Sequence, residues 1–407
     1  MNEKLLGLRC SQCATFFKPD EALYTCPKCK GVLETVYDYE KIEGQFDGED
    51  LWRYRQLLPT TNRTNLWVGR TPLYKSTILN EKLGLDDLWI KDETKNPTHS
   101  LKDRASAIVV ALAKELGYKT ITCASTGNAA SALAGISASE GIESCIFVPE
   151  NIPLPKLIQL QTFNARVFRI KASYDDCFDL CNRIADKYGW YNRNTAYNPY
   201  TLDGKKTVAF EIAEQLKVPD KIFVPVGDGC IISSVWKGFV EFQKLGIINN
   251  LPELVGVQAA GCKPLKDGFD LGKKVPDVAK PSTLAESIAV GNPRNGFMAL
   301  RDVRKSKGKF VSVSDEEMFE AMKLLGSTTG IFGELAGVAS VAAIKKEKEE
   351  NNIDRNEKVV GLITGSGLKD IEAAVKLFGK TDLIEADEEK ICERINRMKW
   401  HKKNEMA

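Results

Sequence analysis

A lysine, three strand-to-helix loops and four paired cysteines are the features whose residue types and spacing could do chemistry. Lys102 lies in "PTHSLKDR", residues 97–104. Apolar residues at Ala105, Ile108, Val109, Leu112 and Leu116 follow it at helical spacing. Ser100 is the expected N-cap, with Asp103 as its reciprocal partner. Lys102 then stands in the first turn, where the helix dipole disfavours an ammonium. A lysine held neutral is a nucleophile toward a carbonyl, although position alone also suits an ordinary solvent-facing lysine. The loop "PVGDGC", residues 225–230, carries Gly227 and Gly229, whose N–H groups could turn toward one anion such as a phosphate monoester. It matches neither GxGxxG nor GxxxxGK[ST], and a tight structural turn is the other reading. In "STGN", Ser125, Thr126 and Gly127 could hold a carboxylate and Asn128 could donate to a phenolic oxygen. A plain helix cap is the alternative there. Taken together the loops ask for an aldehyde, a phosphate and a carboxylate. Pyridoxal 5′-phosphate supplies the first two and an amino-acid substrate the third.

The cysteines form a second constellation. Cys10 and Cys13 make one CxxC pair and Cys26 and Cys29 another, with twelve residues between the pairs. Two such knuckles can present four thiolates to one Zn²⁺, in a structural role because no coordination position is left open. Four reduced, metal-free thiols are the other reading. The segment 1–48 is expected to form this zinc-ribbon-like unit. The chain's two histidines, His99 and His401, argue against a His-based triad or a His-rich metal site.

These residues need a scaffold, and the middle of the chain supplies a pattern for one. "DLWIKDE", "KTITCAS", "ESCIFVPE", "RVFRIKA", "KIFVPVG", "ELVGVQAAG" and "KVVGLITGSG" read as strands. Most are followed by an amphipathic helix. Such alternation predicts parallel sheets covered on both faces, with ligands at the carboxyl ends of the strands. The chain has 407 residues, enough for two or three domains, and 43% hydrophobic content, which fits a globular protein. Its 57 basic and 55 acidic residues nearly cancel, so nothing asks for nucleic acid or an anionic membrane. There is no signal-like or membrane-spanning apolar run. A cytoplasmic location is expected, with the 11 cysteines mostly as reduced thiols.

The stretches "NPTHSLKDRAS", "STGNAASALAG", "NPYTLDGKKT", "VPVGDGCIIS" and "LITGSGLKD" resemble threonine synthases, in the fold-type II group of pyridoxal-phosphate enzymes. The resemblance runs from about residue 66 to 370. It implies an α/β fold of two Rossmann-like three-layer domains with parallel sheets, like the tryptophan synthase β chain. The larger, cofactor-binding domain would comprise 49–104 and 203–380, the smaller, closing domain 105–202, and a helical tail 381–407. Lys102 would bond the cofactor aldehyde. Asn128 would meet the ring hydroxyl oxygen, and Gly227, Asp228, Gly229, Cys230 and Ile231 would wrap the phosphate. Thr364 would face the pyridine nitrogen with a neutral hydroxyl, and Glu334 would lie near the cofactor floor. Ser125, Thr126, Gly127, Asn198 and Lys205 would bind substrate. The implied reaction converts O-phospho-L-homoserine and water to L-threonine and phosphate, as a carbon–oxygen lyase acting on phosphates. Lys102 would take the Cα proton, the γ-phosphate would leave after proton loss at Cβ, and water would add at Cβ.

Three positions depart from the family pattern. His99 stands where a small residue is usual, Ser366 where a histidine occurs, and Thr201 where many members have an arginine suited to the substrate phosphate. Lys205 and Lys206 are the nearby cations that would compensate. Sibling chemistries therefore stay open: cysteate synthesis from phosphoserine, or dehydration of threonine or serine. A non-catalytic sensor on the same scaffold is a further alternative, disfavoured by the intact Lys102. Family members are commonly dimers, and the sequence gives no independent sign of it.

Overall fold

Three sheets are laid down in chain order in this computed structural model, which describes residues 1–397 apart from 22, 151, 153, 380 and 382. The first is small and antiparallel, with β1 (Leu5–Cys10) between β2 (Phe16–Phe17) and β3 (Leu33–Tyr37). Alternation along β3 buries Leu33, Thr35 and Tyr37 on one face. That face is fastened to the rest of the protein. Thr35 Oγ1 and Tyr37 OH both donate to Asp203, at 2.8 and 2.9 Å. Arg301 grips the two carboxylate oxygens of Glu34 at 2.8 and 3.0 Å. The N-terminal segment is thus docked on the main body, not free-standing.

The next strands, β4 (Leu73–Tyr74) and β5 (Asp87–Asp92), begin a second sheet that is left unfinished. The chain first builds β6 (Thr120–Ala124), β7 (Glu143–Pro149), β8 (Arg166–Ile170) and β9 (Tyr191–Asn192). These pair in parallel in the order β8-β7-β6-β9. It then returns with β10 (Lys221–Pro225), β11 (Glu253–Ala259), β12 (Lys309–Val313) and β13 (Lys358–Ile363). The completed six-stranded sheet has the order β12-β11-β10-β13-β5-β4, and β4 alone runs antiparallel. The last strand in sequence, β13, sits between β10 and β5. Strands β10 and β13 are buried after their first residue, as expected where helices cover both faces.

Every strand anticipated from the sequence is present. Missing from that expectation were the two-residue strands β4 and β9, β12, whose "KFVSV" is short and half polar, and helices that include Gly296–Lys305, Asp315–Thr329 and Leu335–Glu349.

The helix Tyr200–Leu216 is wedged between two others. A Cβ on its Gly204 would lie 2.1 Å from the Arg104 carbonyl oxygen, on helix Lys102–Glu115. A Cβ on Gly238, in helix Cys230–Lys244, would lie 2.6 Å from the Lys206 carbonyl oxygen. Glycine permits both backbone approaches. Beside this junction Arg104 is wholly buried and saturated. It bonds Glu93 twice (2.7 and 2.8 Å), Glu211 twice (2.6 and 2.7 Å), Thr207 (2.9 Å) and Thr71 (3.1 Å). Lys91 adds a further bond to Glu211 at 2.8 Å.

This body runs from Met1 to Asp370, and the chain from Ile371 onward is a separate unit. That unit contains helices Ile371–Phe378 and Glu388–Arg397; His401 and the rest of the tail lie outside the described residues. Among the described residues no helix is long and apolar enough to cross a membrane.

Candidate active site

The lysine loop is built by pairing with a distant strand end. Leu101 N donates to Thr364 O at 2.9 Å, Ser366 N donates to His99 O at 3.0 Å, and Ser100 bridges Gly365. His99 adopts a left-handed φ of +65°, with Nδ1 3.3 Å from the Thr94 carbonyl oxygen. Lys369 donates to Thr98 O and to Ser131 Oγ, both at 2.6 Å, and so ties the same loop to helix Asn128–Glu140. Lys102 is the first residue of its helix.

Ser100 is not the cap. Leu101 holds the capping position without a side-chain bond, and Asp103 accepts instead from Thr98 N (2.8 Å) and Thr98 Oγ1 (2.5 Å). Backbone pairing with Gly365 fixes the loop, so the local capping box cannot form. The ammonium of Lys102 is disfavoured as anticipated, but burial is the larger cause. The positive charge of Arg193 adds to it, while Cys230, Glu334 and Asp228 oppose it.

A cleft of about 400 Å³ opens in front of Lys102. Its wall gathers Ser125, Thr126, Gly127 and Asn128 from the end of β6, Gly227 to Ile231 from the end of β10, and Thr364 from the end of β13. Carboxyl ends of parallel strands therefore converge on one space, as the topology demands. Asn198 and Lys205 are not part of the wall. The Asn198 amide donates to Asn192 O (2.9 Å) and its Oδ1 accepts from Tyr200 N (3.0 Å), so it serves the local backbone. Lys205 is fully buried behind the wall. Lys206 cannot compensate for the missing arginine, because Asp203 and Glu241 each hold it at 2.8 Å. Thr201 Oγ1 is turned back onto Asn198 O at 2.8 Å.

The wall fits pyridoxal phosphate. Gly229 has a φ of +88°, and a Cβ there would lie 2.7 Å from Ala299 Cβ. On Gly227 it would meet Val290 Cγ2 at 2.9 Å. The two glycines and the start of helix Cys230–Lys244 form a cradle lined by main chain, which suits a phosphate ester. Asn128 is buried. Its Nδ2 donates to both carboxylate oxygens of Glu334, at 2.9 and 3.0 Å, while its Oδ1 has no partner among the described residues. Burial raises the Glu334 pKa, and the bond from Asn128 opposes the rise. With Nδ2 spent on Glu334, Asn128 presents a free acceptor, so here it can accept from a ring hydroxyl O–H and does not offer the expected donation to its oxygen.

Residues not singled out from the sequence also face the cleft. Glu286 accepts from Thr126 Oγ1 at 2.9 Å and pairs with Lys156, spanning the loop that could hold a carboxylate. Arg294 pairs with Asp175 at 2.5 Å and stacks 4.0 Å over the Phe178 ring. Arg193 lines the cleft from a buried position. Nothing local in the sequence marked Arg193 or Glu286.

In the N-terminal sheet the four cysteine sulfurs lie within 4.8 Å of one another. Cys10 and Cys29 are 3.4 Å apart and Cys13 and Cys26 3.7 Å. Tetrahedral Zn–S bonds of about 2.3 Å would set sulfurs about 3.8 Å apart.

Fold and cleft together define an enzyme that works with pyridoxal phosphate. A model of the pyridoxal-phosphate dependent enzymes matches residues 64–365. Threonine synthase of Methanocaldococcus jannaschii is 41% identical over 93% of this chain and 96% of its own. That of Methanosarcina acetivorans is 39% identical over 95% and 98%. The chain belongs to the threonine synthase family of pyridoxal-phosphate enzymes. Among solved structures, diaminopropionate ammonia lyase from Escherichia coli shares the fold at a TM-score of 0.67 and 16% identity, covering 84% of this chain and 95% of that one. A threonine deaminase isoform from Solanum lycopersicum does so at 0.66 and 22%, covering 83% and 96%.

Proposed function

We propose that the protein converts O-phospho-L-homoserine and water to L-threonine and phosphate. The observation that carries this is the convergence of Lys102, the Ser125–Asn128 loop, the Gly227–Ile231 cradle and Thr364 on one cleft. Likeness to threonine synthases over nearly the whole chain selects the reaction among those the cofactor permits.

In this reading Lys102 bonds the cofactor aldehyde, and main-chain N–H groups of 227–231 take its phosphate. Asn128 meets the ring hydroxyl oxygen and Thr364 the ring nitrogen. Bound there, pyridoxal phosphate supplies a conjugated electron sink that acidifies the substrate Cα–H bond. Lys102, whose charged form burial disfavours, would take the Cα proton once the substrate amine has freed it, and would hold that proton beside the reacting carbon. Ser125, Thr126 and Gly127 orient the substrate carboxylate with hydroxyl and N–H donors. The Glu286 carboxylate, now on Thr126, yields that position to the substrate. Residues 105–202 form a lobe that closes over 49–104 and 203–370, which excludes bulk water from the reacting atoms.

One Zn²⁺ held by Cys10, Cys13, Cys26 and Cys29 braces the N-terminal sheet. The geometry of the four sulfurs supports that assignment. The protein acts in the cytoplasm on a free amino-acid ester.

Phosphate release from O-phosphohomoserine, compared with O-phosphoserine, tests the function. Turnover of the first alone is expected. Turnover of phosphoserine alone would move the assignment to β-replacement chemistry, and silence on both would overturn a phosphorylated substrate.

A further inference from the structure

We propose that Lys205 is a buried counter-cation for a phosphate monoester seated on the Gly227–Ile231 loop. This rests on the cofactor and substrate reading above and adds a residue and a proton to it.

Three lysines in the core are completely buried: Lys91, Lys205 and Lys206. Two are matched by carboxylates, Lys91 by Glu211 and Lys206 by Asp203 and Glu241. Lys205 Nζ has no hydrogen-bond partner among the described residues. A buried amine left this way is costly unless something else meets it.

Its place in the fold says what that is. Gly204 abuts the Arg104 carbonyl, and Lys206 presses against Gly238. Lys205 is therefore held between the helix that Lys102 begins and the helix that Cys230 begins. The charged and titratable groups facing it are Cys230, Arg193, Lys102 and Asp228. The Cys230 thiol and the Asp228 carboxyl are both pushed toward neutrality by burial. The one carboxylate near Lys205, Asp228, is thus discouraged from ionising, beside a loop already shaped for an oxyanion. A dianion is the missing charge.

Burial and the neighbouring cations bring Lys205 down to about 7 in the empty protein. A dianion on the loop favours its charged form, so binding draws a proton onto Nζ. At about pH 8 a phosphate monoester is already a dianion, and uptake there reports on the protein.

The test is calorimetry of inorganic phosphate and of pyridoxal phosphate binding to cofactor-free protein at about pH 8, in buffers of different ionisation enthalpy. Wild type is expected to take up a proton, with the Lys205→Met variant taking up less. That variant should bind pyridoxal phosphate about tenfold or more weakly while its affinity for pyridoxal, which lacks the phosphate, stays the same. Lys205→Arg, charged throughout, should restore affinity without restoring uptake. Should cofactor affinity hold while KM for the phosphorylated substrate rises, the phosphate received is the substrate's. Unchanged affinities for phosphate, cofactor and substrate in Lys205→Met would overturn the proposal. So would absence of proton uptake by the wild type, which needs no variant to fold. Failure to turn over phosphohomoserine leaves the cofactor arm readable and so marks a different error.

Discussion

Two lysines in one buried neighbourhood are asked to do opposite things: Lys102 must be able to lose its proton and Lys205 to gain one. Replacing Lys102 with alanine removes the amine that moves the Cα proton. Turnover should fall by about 10³-fold or more, with the thermal midpoint nearly unchanged; stopped assays alongside melting curves check both. Lys205 also leaves a mark on stability. Its folded value of about 7 lies below the roughly 10.4 of an unfolded lysine. Below pH 7 both states are protonated and the burial penalty is constant. From about pH 7 to 10 the unfolded chain binds the extra proton, so stability of the empty protein should rise with pH, by at most about 1.4 kcal/mol per unit. Denaturant titrations should show this slope diminished in Lys205→Met. At this scale the sequence was informative where chemistry is local: a lysine opening a helix, glycines in a strand-to-helix loop, a Ser-Thr-Gly-Asn turn. Glu286 and Arg294 escaped it because their partners, Thr126 and Asp175, lie far away in the chain. Ser100 misled because its backbone is held by a tertiary pairing with Gly365, while its hydroxyl has no partner among the described residues and caps nothing.

Among the elements, the loop of 284–291 matters most for access. Its Glu286 bonds Thr126 and Lys156 across the carboxylate-binding turn, and it is 44% exposed, so solvent weakens the tie. Glu286→Ala should lower KM for the substrate roughly two- to fivefold with kcat unchanged, because the substrate carboxylate no longer competes with a resident one. Steady-state kinetics decide it; a higher KM would mean that Glu286 helps to bind. The N-terminal sheet gives a second prediction at this scale. Metal analysis should find one zinc per chain, and stripping it with a strong chelator should lower the melting temperature by loosening the Thr35 and Tyr37 bonds to Asp203. The paired cysteine spacing made the four-cysteine cluster readable. The docking of the sheet through Asp203 and Arg301 was not, since acidic and basic residues at such positions look like ordinary surface charge.

For the molecule as a whole, Arg104 joins parts of the chain that no local rule connects: Thr71, Glu93, Thr207 and Glu211. Arg104→Met would leave buried Glu93 without its cation and Glu211 with Lys91 as its cation, and should cost about 3–5 kcal/mol, measured by equilibrium unfolding. Alternation of apolar runs and helices revealed the α/β class and the parallel sheets, but strand order is a property of pairing partners and left no trace in that pattern. The position of β13 has a consequence for biosynthesis. A chain stalled on the ribosome before residue 358 lacks the middle of its principal sheet and the Thr364 carbonyl against which the lysine loop zips. Such a fragment has no formed vitamin pocket. Coenzyme capture therefore doubles as a test that translation has passed residue 364, and products truncated before it should emerge colourless.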